Sequence, residues 1–302
     1  MAENLSPQRW GNTLTLLLNA AYGAAPDRFP VNVGALAKDF SAQRFPDDPI
    51  TLVLGGRLPG FEGALYRAPV GKKGWGIIFN DAIGSAGRIN FTIAHEFGHY
   101  LLHRLAYPNG IECGQQDMVR WDSEYRQIES QANEFAATLL MPLDDFRRQI
   151  DPRGKPSLDD IGACAERYGV SLMAATLRWL HYTERRSVLV VSREGFILWA
   201  RSSDRAWKTG AYFKTAGQGP VAIPADSLAA RADLREMSRG QIHHNEGVWF
   251  REPCDEIALV SDQYDFAISL LHLSAAEWQM RLDEEEDEDT FDVMSRRMGG
   301  RR

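Results

Sequence analysis

The run His95-Glu96-Phe97-Gly98-His99 is the stretch of this chain best suited to do chemistry. Histidines four apart on a helix lie on one face, one turn apart, so both imidazoles can meet a single metal ion. The carboxylate of Glu96 then points near the open coordination position, where it can take a proton from water. Zinc lowers the pKa of water bound to it to about 7, which makes a usable nucleophile at neutral pH. The chemistry implied is metal-assisted hydrolysis of a peptide bond. Glu96 serves as general base and later passes the proton to the leaving amine.

A catalytic zinc takes three protein ligands and keeps one position open. His103 continues the series, but it lies eight residues beyond His95, about 12 Å along a helix, too far to share an ion whose bonds are near 2 Å. It reads as a residue that supports the ligands or packs beside them. Glu129 is the better third ligand, with Asn133 one turn further on the same face, where it could hold a ligand histidine in its metal-binding tautomer. Glu112, Asp117, Asp122, Glu124 and Glu134 compete for the role. Glu124 and Glu134 sit five residues from Glu129, about 140° around a helix, and cannot share its face. Spacing by itself leaves open whether Glu129 is a ligand or a solvated helix charge. Tyr100, Tyr125, Arg120 and His103 are candidates for contact with the oxyanion or the substrate.

Local signals place these residues on elements. Ile89, Ile93, Phe97, Tyr100 and Leu101 recur at helical spacing after a cap at Ser85, and Pro108-Asn109-Gly110 stops the helix. YRQIESQANEFAATLLMP predicts a second helix, stopped by Pro142. Before them, residues 5–22 predict a helix and Val33–Phe40 a short one, with loops and short strands otherwise up to residue 60. FEGALYRA and GWGIIFN predict two strands joined at 71–74, and the second could bind substrate by strand addition. Residues 111–124 read as polar and irregular. Residues 157–183 predict two helices joined at Tyr168–Ser171, SVLVVSREGFILWARSS a hairpin turning at Arg193–Gly195, and EGVWFRE and EIALVSDQYDFAISLLHLS strand-like or mixed segments.

The chain of 302 residues has an ordinary globular composition, 44% hydrophobic and 25% charged. Its net charge of −7 is matched by seven consecutive acids at 283–289. A neutral body gives poor support for binding nucleic acid, and direct DNA binding is not expected. Cys113, Cys164 and Cys254 are odd in number and widely spaced, which suits a reducing compartment rather than a disulfide framework. The N-terminal apolar run follows Arg9 and Trp10 and reads as an amphipathic helix, not a signal peptide. No run of apolar residues is long enough to span a membrane, so the expected address is the cytoplasm. His243-His244 is unsuited to a shared metal, because adjacent residues point to different sides of most elements.

INFTIAHEFGHYLLH followed by IESQANEFAATLLMP resembles the ImmA/IrrE family of metallopeptidases, whose members pair an H-E-x-x-H helix with a later E-x-x-A-N-x-F-A-x-x-L-L-M-P helix. The resemblance covers about residues 60–205, including a hairpin at LVVSREGFILWARSS, and the remainder weakly. It implies Glu129 as third ligand and Asn133 as its supporting partner. It also implies a gluzincin-like peptidase domain and a substrate among Xre-type helix-turn-helix repressors, cut to release stress or mobile-element genes. No N-terminal Xre-like segment is evident here, so the repressor is expected to be a separate chain encoded nearby.

The fold expected is α+β, with a zincin-like domain at 1–150 made of a small sheet and the active-site helix. A helical, helix-turn-helix-like segment follows at 151–186, then a mixed α/β, sensor-like domain at 187–282 and a disordered tail at 283–302. The expected ligand set is His95, His99 and Glu129, the cofactor zinc or alternatively manganese, and the base Glu96. The rival reading is a non-catalytic, metal-binding regulator that holds a repressor or DNA without cutting it. An intact Glu96 speaks against it, because a site that only binds has no use for a base.

Overall fold

Phe61–Arg67 (β2) and Trp75–Asn80 (β3) form the antiparallel hairpin that their apolar residues predict, with Leu65 opposite Ile77 and Gly63 opposite Phe79. Ile50–Gly56 (β1) pairs β3 in parallel, and Gly110–Gly114 (β4) pairs β2 antiparallel, giving the order β1-β3-β2-β4. This computed structural model describes residues 5–23, 25–58, 60–114, 123–214, 219–231, 234, 237–261 and 266–275.

Two expectations change in this sheet. Residues 111–114, the start of a stretch read as irregular, form a strand with Gly110 because Ile111 falls opposite Leu65 and is itself buried, so the ladder to β2 is worth making. And β3, expected to accept a substrate strand, is paired on both sides, so its backbone groups are already used. The outer strands among the described residues are β1 and β4.

One face of the sheet carries the helix Ala86–His103 (α3), which begins at the Ser85 side chain, an acceptor for the Arg88 N–H. The apolar stripe of α3 is buried at Ala94, Phe97, Tyr100 and Leu101. Trp75, Phe45 and Phe97 surround Tyr100 in mostly edge-to-face contacts, with ring centroids between 6.0 and 6.4 Å. Such a cluster adds about 0.5–1.5 kcal/mol per pair to the burial of the rings. Ser123–Leu140 (α4) packs on α3 through Ala132 and Phe135, and on Pro7–Tyr22 (α1) through Thr138, against which Gly11 sits. Val33–Arg44 (α2) lies against β1 and ends at Phe45, which stacks under the guanidinium of Arg104.

The chain forms two compact units that interleave along the sequence. The first holds residues 1–146 and 162–175, the second 147–161 and 176–302. The helices Leu143–Gln149 (α5), Leu158–Tyr168 (α6) and Leu172–Tyr182 (α7) therefore each contribute to both units. Within the first unit, Asp145 on α5 takes a bidentate contact from Arg167 and a hydrogen bond from the Tyr168 hydroxyl on α6.

The second unit is built on a five-stranded antiparallel sheet, order β6-β5-β9-β8-β7. Its strands are Ser187–Arg193 (β5), Phe196–Ser202 (β6), Arg239–His244 (β7), Cys254–Ser261 (β8) and Phe266–Leu273 (β9), with the short helix Asp204–Lys208 (α8) after β6. The β5–β6 turn places Glu194 and Gly195 at φ 50° and 81°, the pair of left-handed residues that a two-residue hairpin needs. EGVWFRE, expected as strand-like, is instead a turn around Gly247, and Trp249 reaches from it into the core to donate to Glu256. His243 and His244 point to opposite sides of β7. The first meets Asp255 at the surface, and the second meets the buried Glu256. No helix among the described residues is long and apolar enough to cross a membrane. The described residues form a mixed α+β structure with two sheets. The tail at 283–302 and the side chain of Cys113 lie outside the described residues, while Cys164 and Cys254 are buried.

Candidate metal centre

α3 turns His95, His99 and His103 to one side, at 8%, 0% and 6% exposure, and buries Glu96 completely. α4 crosses α3 closely because Gly98 has no side chain. A Cβ there would lie 2.9 Å from the Phe135 ring and 3.2 Å from the Ala132 Cα. That approach brings Glu129 against the two histidines. Its two oxygens stand 3.2 Å from His95 Nε2 and 3.2 Å from His99 Nε2. The two Nε2 atoms are 2.9 Å apart.

These three residues form the group among the described residues able to hold a metal ion, with their ligand atoms all within 4.8 Å of one another. A tetrahedral ion with bonds of about 2.1 Å separates its ligand atoms by roughly 3.4 Å, so the observed spacings fit one. The chemistry of the set points the same way. Two imidazole lone pairs and a carboxylate aimed at one point repel each other unless a proton or a metal ion lies between them, and this donor set suits a metal ion.

The supporting bonds agree. His95 Nδ1 lies 3.0 Å from Asn133 Oδ1. An amide oxygen only accepts, so in the neutral ring Nδ1 carries the proton and Nε2 keeps the lone pair that a metal ligand requires. The electrostatics follow from crowding. Burial pulls the His95 pKa down, but the hydrogen bond and charge of Glu129, with the charge of Glu96, outweigh it and leave it raised. At His99 burial and the charge of His95 together hold the pKa down. Burial works against ionising Glu129, yet the hydrogen bonds of both histidines keep its carboxyl well below the usual range.

The other candidates are placed elsewhere. Tyr100, considered for an oxyanion or substrate contact, is fully buried and donates its hydroxyl to the Asp48 carbonyl at 2.7 Å. Burial raises its pKa to about 12. His103, considered for the same contact, has both ring nitrogens engaged inside the fold, by His99 and by Gln131. The reason in both cases is direction: each side chain points into packed protein. Tyr125, one turn before Glu129, is half-buried. Glu134 is bonded by Gln8 rather than turned to the histidines. Arg120, Asp117 and Asp122, and the side chains of Glu112 and Glu124, lie outside the described residues.

Two contributors escaped the sequence reading. Gly63 on β2 lies directly against Glu96, where a Cβ would stand 2.8 Å from Oε1 and 3.2 Å from Cγ. A glycine inside an otherwise well-formed strand is the signal that marks it, since such a residue often permits a close approach. Gln131 is the other. It lies about 200° around α4 from Glu129, so no spacing rule connects it to the site.

Residues 53–180 match the model of the IrrE N-terminal-like domain, Peptidase_M78. No curated protein matches the chain. Both helices that supply the cluster fall inside this match, so residues 53–180 are similar to the IrrE N-terminal-like peptidase domain.

Proposed function

We propose that this chain is a zinc-dependent endopeptidase of gluzincin type that cuts a regulatory protein, a helix-turn-helix repressor of the Xre class encoded nearby, in the cytoplasm. The observation that carries the reading is the convergence of His95 Nε2, His99 Nε2 and the Glu129 carboxylate beside the buried carboxylate of Glu96. A base so close to a two-histidine, one-carboxylate centre is the constellation that hydrolysis needs and that mere binding does not.

His95, His99 and Glu129 would hold the ion, and Asn133 keeps His95 in the required tautomer. Bound zinc supplies Lewis acidity and makes water acidic enough to give up a proton near neutrality; manganese is the alternative ion. Glu96 would take a proton from the attacking water and return it to the leaving amine. Its carboxylate is buried, with Oε1 and Cγ against the backbone of β2 at Gly63, which limits where it can move. Tyr125, one turn before Glu129 on α4, is the tyrosine we assign to the developing oxyanion. A peptide strand would add to β4, whose partner β2 lies on Glu96.

The test is co-expression of the chain, or its Glu96→Gln variant, with the neighbouring helix-turn-helix protein. Cleavage by the wild type and none by the variant is expected. Identical behaviour of the two, with the repressor bound but intact, would leave a regulator that binds without cutting.

A further inference from the structure

His103 is buried beside the ligands but touches no position an ion could occupy. Its Nδ1 lies 3.1 Å from His99 Nδ1, and its Nε2 lies 2.9 Å from Gln131 Oε1. Two ring nitrogens at that distance bond only if one carries a proton and the other a lone pair. The amide oxygen of Gln131 accepts, so the single proton of neutral His103 sits on Nε2. Nδ1 of His103 is then an acceptor, and Nδ1 of His99 must donate to it. The lone pair of His99 is left on Nε2, the atom 3.2 Å from Glu129 and 2.9 Å from His95.

We propose that Gln131 and His103 form a two-residue hydrogen-bond chain that fixes His99 in the tautomer able to bind metal. The inference rests on the metallopeptidase reading. It makes α4 the source of three functions: Glu129 as ligand, Asn133 orienting His95 directly, and Gln131 orienting His99 through His103. Without an acceptor at Gln131, His103 can move its proton to Nδ1. That proton faces His99 Nδ1 and shifts the His99 proton to Nε2, where the ion must bind. His103 and Gln131 are positioning residues, since neither reaches the reacting atoms.

The test uses the full chain with zinc alone, its affinity read by chelator competition, and histidine tautomers read by long-range 15N–1H correlation. Gln131→Met keeps the shape and removes the acceptor, and Gln131→Glu restores an acceptor oxygen. For Gln131→Met zinc affinity is expected to fall about 10- to 100-fold, with loss of the His99 Nδ1–H signature. Gln131→Glu is expected to recover affinity to within about threefold of the wild type, an outcome general destabilisation would not produce. His103→Phe breaks the same chain, so the Gln131→Met/His103→Phe double variant is expected to bind zinc as His103→Phe does alone. Wild-type affinity in Gln131→Met, or losses that multiply in the double variant, would overturn the chain. A wild-type protein that fails to bind zinc would overturn the metal reading instead. The 15N spectrum then still decides the chain, since a His99 proton resting on Nε2 contradicts it.

Discussion

Gly63 and Glu96 touch: the backbone of β2 at Gly63 runs so close to the Glu96 carboxylate that a methyl group would stand 2.8 Å from Oε1, and 2.5 Å from the Thr92 methyl. Both neighbours belong to the buried face of α3 and have little room to retreat. Gly63→Ala is therefore expected to displace the base while leaving His95, His99 and Glu129 in place. Turnover should fall by about 10- to 1000-fold, on the scale of losing general-base catalysis, with zinc affinity changed less than about threefold. An alanine variant that keeps full activity would show that Glu96 tolerates the shift.

Gly98 governs how closely the two ligand-bearing helices approach. Alanine there gains up to about 1 kcal/mol of helix propensity. It also meets the Phe135 ring at 2.9 Å and the Ala132 backbone at 3.2 Å, and overpacking costs about 1–3 kcal/mol. The clash wins, because backbone cannot move aside as a flexible side chain can. Gly98→Ala is expected to lower stability by about 1 kcal/mol and to weaken zinc binding by parting Glu129 from the histidines. Urea unfolding and zinc competition on one sample check both. Increased stability would show that α4 can slide without cost.

Chelation and pH are linked through His95. Glu129 and Glu96 favour a proton on that ring, whereas a ligand imidazole must be neutral. Zinc binding to the chelated protein at pH 7 is thus expected to release about one proton. Affinity should rise with pH until it passes the raised pKa of His95, and fall as pH is lowered. Calorimetry in buffers of different ionisation enthalpy measures the release directly. An enthalpy independent of buffer would contradict it.

The second unit carries its own pH dependence at His272. This residue is 2% exposed, bonded to Ser187 Oγ at 2.9 Å, and edge-on to Trp179. Burial, aided by the charge of Lys155, pushes its pKa down to about 4. An unfolded histidine titrates near 6.5, so below that value the unfolded chain binds a proton the folded chain refuses. The contribution is present in full above pH 6.5 and is lost as pH falls toward 4, to the extent of about 3 kcal/mol at pH 4. Denaturation midpoints for the wild type and His272→Gln between pH 7 and 4 should converge as the pH drops. Parallel curves would remove His272 as the cause.

Much of the centre was legible because it is local. His95 with His99, and Glu129 with Asn133, are pairs four apart, and helical repeat alone puts each pair on one face. The apolar periodicity of α3 and α4, the β2–β3 and β5–β6 hairpins, and the helix pair α6–α7 are also short-range features that neighbouring residues settle among themselves. The strand at 110–114 was not legible, since its reason is a ladder to Leu65, far away in sequence. The same holds for β3, whose second edge is filled only because it runs back beside β1.

The sequence by itself determined which groups could bind an ion and which could move a proton, because those follow from side-chain chemistry and helix pitch. Only the tertiary structure decided that Glu129 reaches both histidines, since this depends on how closely α4 can press on Gly98. It also turned Tyr100 from an expected contact of the reaction into an inward-bonded residue, put His103 beside the ligands in the supporting place first read for it, and brought in Gly63 and Gln131. Each of these turns on the packing of one element against another, and a spacing along one chain segment carries no information about that distance.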